Sequence, residues 1–112
     1  MRNRAETGGT GLSDFEIMKC AIQLYGPKAQ EIKAVEELSE LSQAICKVIN
    51  AHDHPSMSNL VECTTHMFEE MADVEIMLEQ IKIIFSDASV EVEVWKQKKL
   101  ARLGDRLGVR TW

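Results

Sequence analysis

Membrane-scale apolar runs are missing from this sequence. No stretch approaches the roughly 18 apolar residues of a spanning helix, and the arginines near the N-terminus are not followed by an apolar segment of the secretory kind. Both absences point to a cytoplasmic protein without a membrane partner. Cysteine is scarce as well. Cys20, Cys46 and Cys63 are an odd number at wide spacing, which builds no disulfide framework. Each falls inside an apolar helical pattern, so all three are expected to be small core residues. His52, Asp53, His54, Cys63 and His66 lack the paired spacing of a zinc site. Only two prolines, Pro27 and Pro55, punctuate the chain, and three of the six glycines fall within residues 1–12.

The composition is that of a folding chain, with 45% hydrophobic and 28% charged residues. Its 112 residues suffice for one domain. A domain of that size buries only about two-thirds of its unfolded surface, which leaves room for burial by self-association. The net charge of -5 is unevenly spread: Lys96 to Trp112 holds six basic residues and one acid, so residues 1–95 carry -10. An acidic body and a basic tail need separate explanations.

Residues 1–12 show no periodicity and read as a mobile arm, leaving 13–112 as a single helical domain. Ser13 and Glu16 form a capping box, which predicts a helix to about Tyr25 that Gly26 and Pro27 terminate. From Pro27 to about Asn50, Ile32, Val35, Leu38, Leu41, Ile45, Val48 and Ile49 recur at steps of three and four, as one face of a long helix. His52 to Met57 is a short polar connection, and Ser58 is a suitable cap for a second long helix from about Asn59 to Phe85. In that helix Leu60, Met67, Met71, Val74, Leu78, Ile81 and Phe85 form one stripe, and Ala72, Ile76 and Ile83 lie on another side. A helix apolar on two sides is buried on both. It is either central in one chain or part of a dimer interface, and the short chain favours the interface. Val90 to Val94 alternates like a strand, yet no other segment could pair with it, and Leu100, Leu103 and Leu107 return to helical spacing. A fourth helix is therefore expected from about Asp87 to Leu103, with Gly104 and Gly108 fraying its end. The fold class is all-α, an antiparallel bundle of about four helices.

Two acidic strings carry the chemistry, EELSEL at Glu36–Leu41 and EEMADV at Glu69–Val74. Glu37 and Glu40 are three apart, as are Glu70 and Asp73, so each pair projects from one helix face. Folding the two helices back on each other makes Glu37 level with Asp73 and Glu40 level with Glu70, both about Pro55. Four facing carboxylates repel strongly at low dielectric, and a cation relieves that cost. All-oxygen, highly charged ligands suit Mg2+, with Mn2+ as an alternative. No lysine follows these acids by four residues to make ordinary surface pairs. A ferritin-like di-iron site would need Glu-x-x-His on two helices, and neither string has that histidine.

At these strings the sequence resembles the MazG-like, all-α nucleoside-triphosphate pyrophosphohydrolase superfamily, whose signature is E-x-x-E, an interval, then E-x-x-D on the next helix. Glu37-x-x-Glu40 and Glu70-x-x-Asp73 match it, and the likeness extends from about Ser13 to Leu107, including a K-L-x-R-L string at Lys99–Leu103. The resemblance implies cleavage of a nucleoside triphosphate between its α- and β-phosphates to the monophosphate and pyrophosphate. It implies that Glu37, Glu40, Glu70 and Asp73 ligate magnesium, and that the chain forms a homodimer or homotetramer with nucleotide pockets built partly from a neighbouring chain. Glu36 and Glu69, adjacent to the ligands, are candidate general bases. Lys99 and Arg102 are candidate phosphate contacts from the basic tail, and Lys96, Lys98 and Arg106 are weaker ones. The interval from Glu40 to Glu70 holds 29 residues, slightly long for the pattern. His66 stands one turn before Glu70, where many relatives carry a lysine, which makes it a further candidate phosphate contact.

Phe15, Tyr25, Phe68 and Trp95 are available to stack on a base, although aromatics at helical spacing are usually core. A base-selective dUTPase or dCTP pyrophosphatase uses similar carboxylate pairs and is the alternative enzyme. The alternative of another class is a non-catalytic helical module binding nucleic acid through Lys96 to Arg110. The charge of -10 on the body opposes a polyanionic partner.

Overall fold

Capping chemistry sets the helix boundaries in the computed structural model, which describes residues 11–55 and 59–109. Helix α1 spans Asp14–Tyr25. The Ser13 hydroxyl accepts from the Glu16 amide at 3.1 Å, and the Ser13 amide donates to the Glu16 carboxylate at 3.2 Å, as the capping box requires. Gly26, at φ 93°, ends α1 and Pro27 opens α2 at once.

Helix α2 runs Pro27–Asp53, three residues past the expected end. Nothing before Pro55 breaks it, so Ala51, His52 and Asp53 are helical and the polar connection is shorter than its composition implies. His54, φ -132° and ψ 62°, takes the non-helical conformation forced on a residue near a following proline. Helix α3 spans Leu60–Ile84 and is capped by Asn59, whose side chain accepts from the Glu62 amide at 3.0 Å. Asn59 thus takes the role expected of Ser58, which lies outside the described residues. Helix α4 spans Ala88–Leu107. Gly104 is inside it instead of fraying it, and the helix ends at Gly108, left-handed at φ 73°, with the Val109 amide donating to the Gly104 carbonyl at 2.7 Å. The alternating valines are helical, and no strand occurs among the described residues.

The fold centres on an α2–α3 antiparallel hairpin, with α1 resting on both helices. Its register is fixed by a buried hydrogen bond of 2.6 Å from the Gln30 amide to the Gln80 side-chain oxygen. That pair has the same midpoint, Pro55, as the acidic pairs. Helix α4 meets α3 but neither α1 nor α2.

The seam itself departs from the expected apolar stripe. On α2 it consists of buried Gln30, Ala34, Glu37, Ala44 and Ala51, with Leu41 and Val48 part-buried. These positions alternate steps of four and three, the pattern of two helices packed side by side. Small side chains fill it, Ala44 and Ala51 being 1% and 0% exposed. Ile32, Val35, Leu38, Ile45 and Ile49 point outward and are exposed, so the sequence stripe combined two different faces. Helix α3 repeats the arrangement: Val74 and Met77 are buried, whereas Phe68, Met71, Ile76, Leu78 and Phe85 are exposed. It is apolar on two sides, and the chain covers one of them.

The cysteines also depart from expectation. Cys20 and Cys46 are exposed and Cys63 is half-buried. Helix α1 buries no residue at all, and Cys46 lies between the seam positions Ala44 and Val48 without being one of them. No large side chain is fully buried among the described residues. No helix there is long and apolar enough to cross a membrane.

Candidate metal centre

Two helices bring three of the expected acids to one point. Glu37 comes from α2, and Glu70 and Asp73 come from adjacent turns of α3. One carboxylate oxygen from each lies within 4.8 Å of the others. Glu37 and Glu70 are seam positions, 7% and 8% exposed, whereas Asp73 is exposed.

Both buried acids are incompletely partnered. Glu37 Oε1 pairs with Lys33 Nζ at 3.2 Å, and Glu70 Oε1 lies 3.7 Å from His66 Nε2. The second oxygen of each, Glu37 Oε2 and Glu70 Oε2, is buried without a hydrogen-bond partner. Such an atom keeps its full desolvation cost. Orphaned hard oxygens on two members of a carboxylate cluster fit a hard divalent cation.

Electrostatics around Glu70 agree. Burial is the main cause holding its carboxyl above the usual range, followed by the charge of Glu40, while His66 opposes the shift and Asp73 and Glu37 add to it. Glu40 therefore acts on Glu70 through its charge, although it is exposed and lies outside the three-carboxylate cluster. Of the four expected ligands, three converge and the fourth stands beside them.

The other expected residues are more dispersed. Glu36 and Glu69 are exposed beside Glu37 and Glu70. Glu36 lies 3.8 Å from Lys33. His66 is brought to Glu70. Lys99 and Arg102 are exposed on α4, which does not touch α2. The four aromatics are exposed; Tyr25 lines a cleft of about 460 Å³ shared with Gln30, Ile32, Lys33, Glu36 and Met77, and Phe15 lines a separate one. Two residues of the Tyr25 cleft, Lys33 and Met77, stand one helical turn along the chain from Glu37 and Asp73.

Two features escaped the sequence reading. Lys33 pairs with Glu37 from the N-terminal side, four residues before the acid, whereas the usual glutamate-to-lysine helix pair has the lysine four residues after it. Glu37 and the neighbouring acids hold the Lys33 ammonium above its usual range, chiefly through the hydrogen bond and charge of Glu37. Gln30 and Gln80 were missed because polar residues do not register in an apolar stripe. The three-four alternation through Ala34, Leu41, Ala44, Val48 and Ala51 would have found Gln30. No family model, no curated protein and no solved structure matches this chain.

Proposed function

We propose that this protein is a magnesium-dependent nucleoside-triphosphate pyrophosphohydrolase of the MazG-like kind, yielding the monophosphate and pyrophosphate. One observation carries the reading: the Glu37, Glu70 and Asp73 carboxylates converge within 4.8 Å while Glu37 Oε2 and Glu70 Oε2 stay buried and unpartnered. A helix hairpin needing only stability has no use for such a point. Bound there, magnesium supplies charge against a polyphosphate and activates water.

The remaining chemistry belongs to the side chains. Glu37, Glu70 and Asp73 would hold the ion, with the charge of Glu40 beside them. Glu36 or Glu69, solvated and next to a ligand, accepts the proton of the attacking water. His66 faces the same centre from one turn away. Lys99 and Arg102 contact phosphate, in a pocket built partly by a neighbouring chain as the MazG-like resemblance implies.

That arrangement requires self-association. The exposed faces of α2 and α3, with Val35, Ile49, Phe68 and Leu78 among them, support it, since so much apolar surface is unusual on a monomer. Light scattering is expected to give a multiple of 12.7 kDa. The decisive assay is pyrophosphate release from a panel of ribo- and deoxynucleoside triphosphates with magnesium. Release that stops on chelation supports the reading, and the panel names the preferred base. A well-folded protein that releases no pyrophosphate from any of them contradicts it.

A further inference from the structure

Lys33 occupies a position between two sites. Its side chain is about half exposed, with Nζ 3.2 Å from Glu37 Oε1 and 3.8 Å from Glu36 Oε2. The same residue lines the cleft beside Tyr25, Ile32 and Glu36. The ammonium thus sits at the boundary between the carboxylate cluster and a cavity of about 460 Å³.

The ion pair with Glu37 is weak and replaceable. An exposed lysine pays rotamer entropy to hold one geometry, and solvent screens what it gains. It neutralises one of three clustered acids and leaves Glu37 Oε2 and Glu70 Oε2 without partners. A divalent cation on the same carboxylates satisfies more of those oxygens and repels the ammonium. The four-carbon stem then lets Lys33 turn from Glu37 into the cleft, where a compact charge suits phosphate oxygens.

We infer that Lys33 is a displaceable counter-ion: it occupies Glu37 in the metal-free protein and, once a divalent cation takes that carboxylate, turns into the cleft to bind the polyphosphate. The inference rests on the metal-centre reading. It gives one residue two opposed effects, which a merely structural lysine does not have. Lys33 competes with the metal and assists the phosphate.

The test measures both effects on the full chain. Free Mn2+ is followed by electron paramagnetic resonance during titration of wild type, Lys33→Met, Lys33→Arg and Lys82→Met. Lys82, which pairs with Glu79 at 3.5 Å, controls for the loss of one positive charge. Binding of inorganic triphosphate is then measured by calorimetry at saturating Mg2+. Lys33→Met is expected to bind Mn2+ about fivefold more tightly than wild type. It is expected to bind triphosphate about tenfold more weakly, with Lys33→Arg retaining most of that affinity. Mn2+ affinity that is unchanged or weaker in Lys33→Met, or that moves equally in Lys82→Met, overturns the competition. Unchanged triphosphate affinity overturns the phosphate role. If wild type and all variants fail to bind Mn2+, the metal centre falls and the inference with it. Equal Mn2+ binding by wild type and Lys33→Met removes the inference alone.

Discussion

Two polar pairs lie in the same seam between α2 and α3, and they differ in how fully each is satisfied. Gln30 and Gln80 complete each other at 2.6 Å, and the Gln80 amide also donates to Met77 Sδ at 3.7 Å. Glu37 and Glu70, nearer the loop, each keep one oxygen buried and unpartnered. A buried amide pair that closes on itself serves the fold, because it fixes register without needing anything else. A carboxylate pair that remains open is costly to the fold and is explained by what it can hold. Beyond both, toward the loop, Ala44 and Ala51 show what the seam looks like where packing alone decides.

The comparison breaks most visibly at the acids. Glu37→Gln or Asp73→Asn is expected to lower pyrophosphate release at least about 100-fold while the circular dichroism of the helices is unchanged. Loss of helix instead of loss of activity would make these acids structural. Ala51→Leu acts in the opposite way: forcing a large side chain into a fully buried contact is expected to cost about 1–3 kcal/mol in chemical denaturation, with the remaining folded protein still binding metal.

The glutamines sharpen the distinction. Gln30→Leu alone strands the Gln80 oxygen and is expected to cost about 1–3 kcal/mol. Gln30→Leu combined with Gln80→Leu is expected to recover much of that loss, and a double-mutant cycle that shows simple additivity would deny the pairing. No such recovery is expected at the acids, whose partner is not a side chain.

The smallest effect is one of pH. The Glu70 carboxyl is held above its ordinary value of 4.5, so the folded state binds this proton more tightly than the unfolded chain does. The stability it contributes is present below the ordinary value and is lost as pH rises through the raised one. Metal-free protein should therefore weaken over that interval. Glu70→Gln is expected to raise its melting temperature at neutral pH and to flatten that part of the profile. An unaltered profile would remove Glu70 as its source.

The fold and the site were legible to different degrees. Helix starts were readable where a side chain makes the cap, as Ser13 and Glu16 do, and the hairpin register followed from the acidic spacing alone, which the Gln30–Gln80 bond matches. The packed face was not readable, because Ile32, Val35, Ile45 and Ile49 are more hydrophobic than Ala34, Ala44 and Ala51, yet the alanines are what let the helices approach. Hydrophobicity ranks side chains, whereas a close seam selects small ones. The same bias placed Cys20 and Cys46 in a core they do not enter. At the site, Glu37, Glu70 and Asp73 converge as their spacing predicted, whereas Glu40 stands aside from them. Which acids face inward depends on the seam positions, and those were the part misread.

The most direct test of the metal centre is the melting temperature of the wild-type protein at neutral pH during magnesium titration, beside Asp73→Asn. Magnesium at about a hundredfold excess over its dissociation constant is expected to raise the wild-type transition by about 10 °C and to leave the variant nearly unmoved. A wild-type transition that magnesium does not shift would contradict the account.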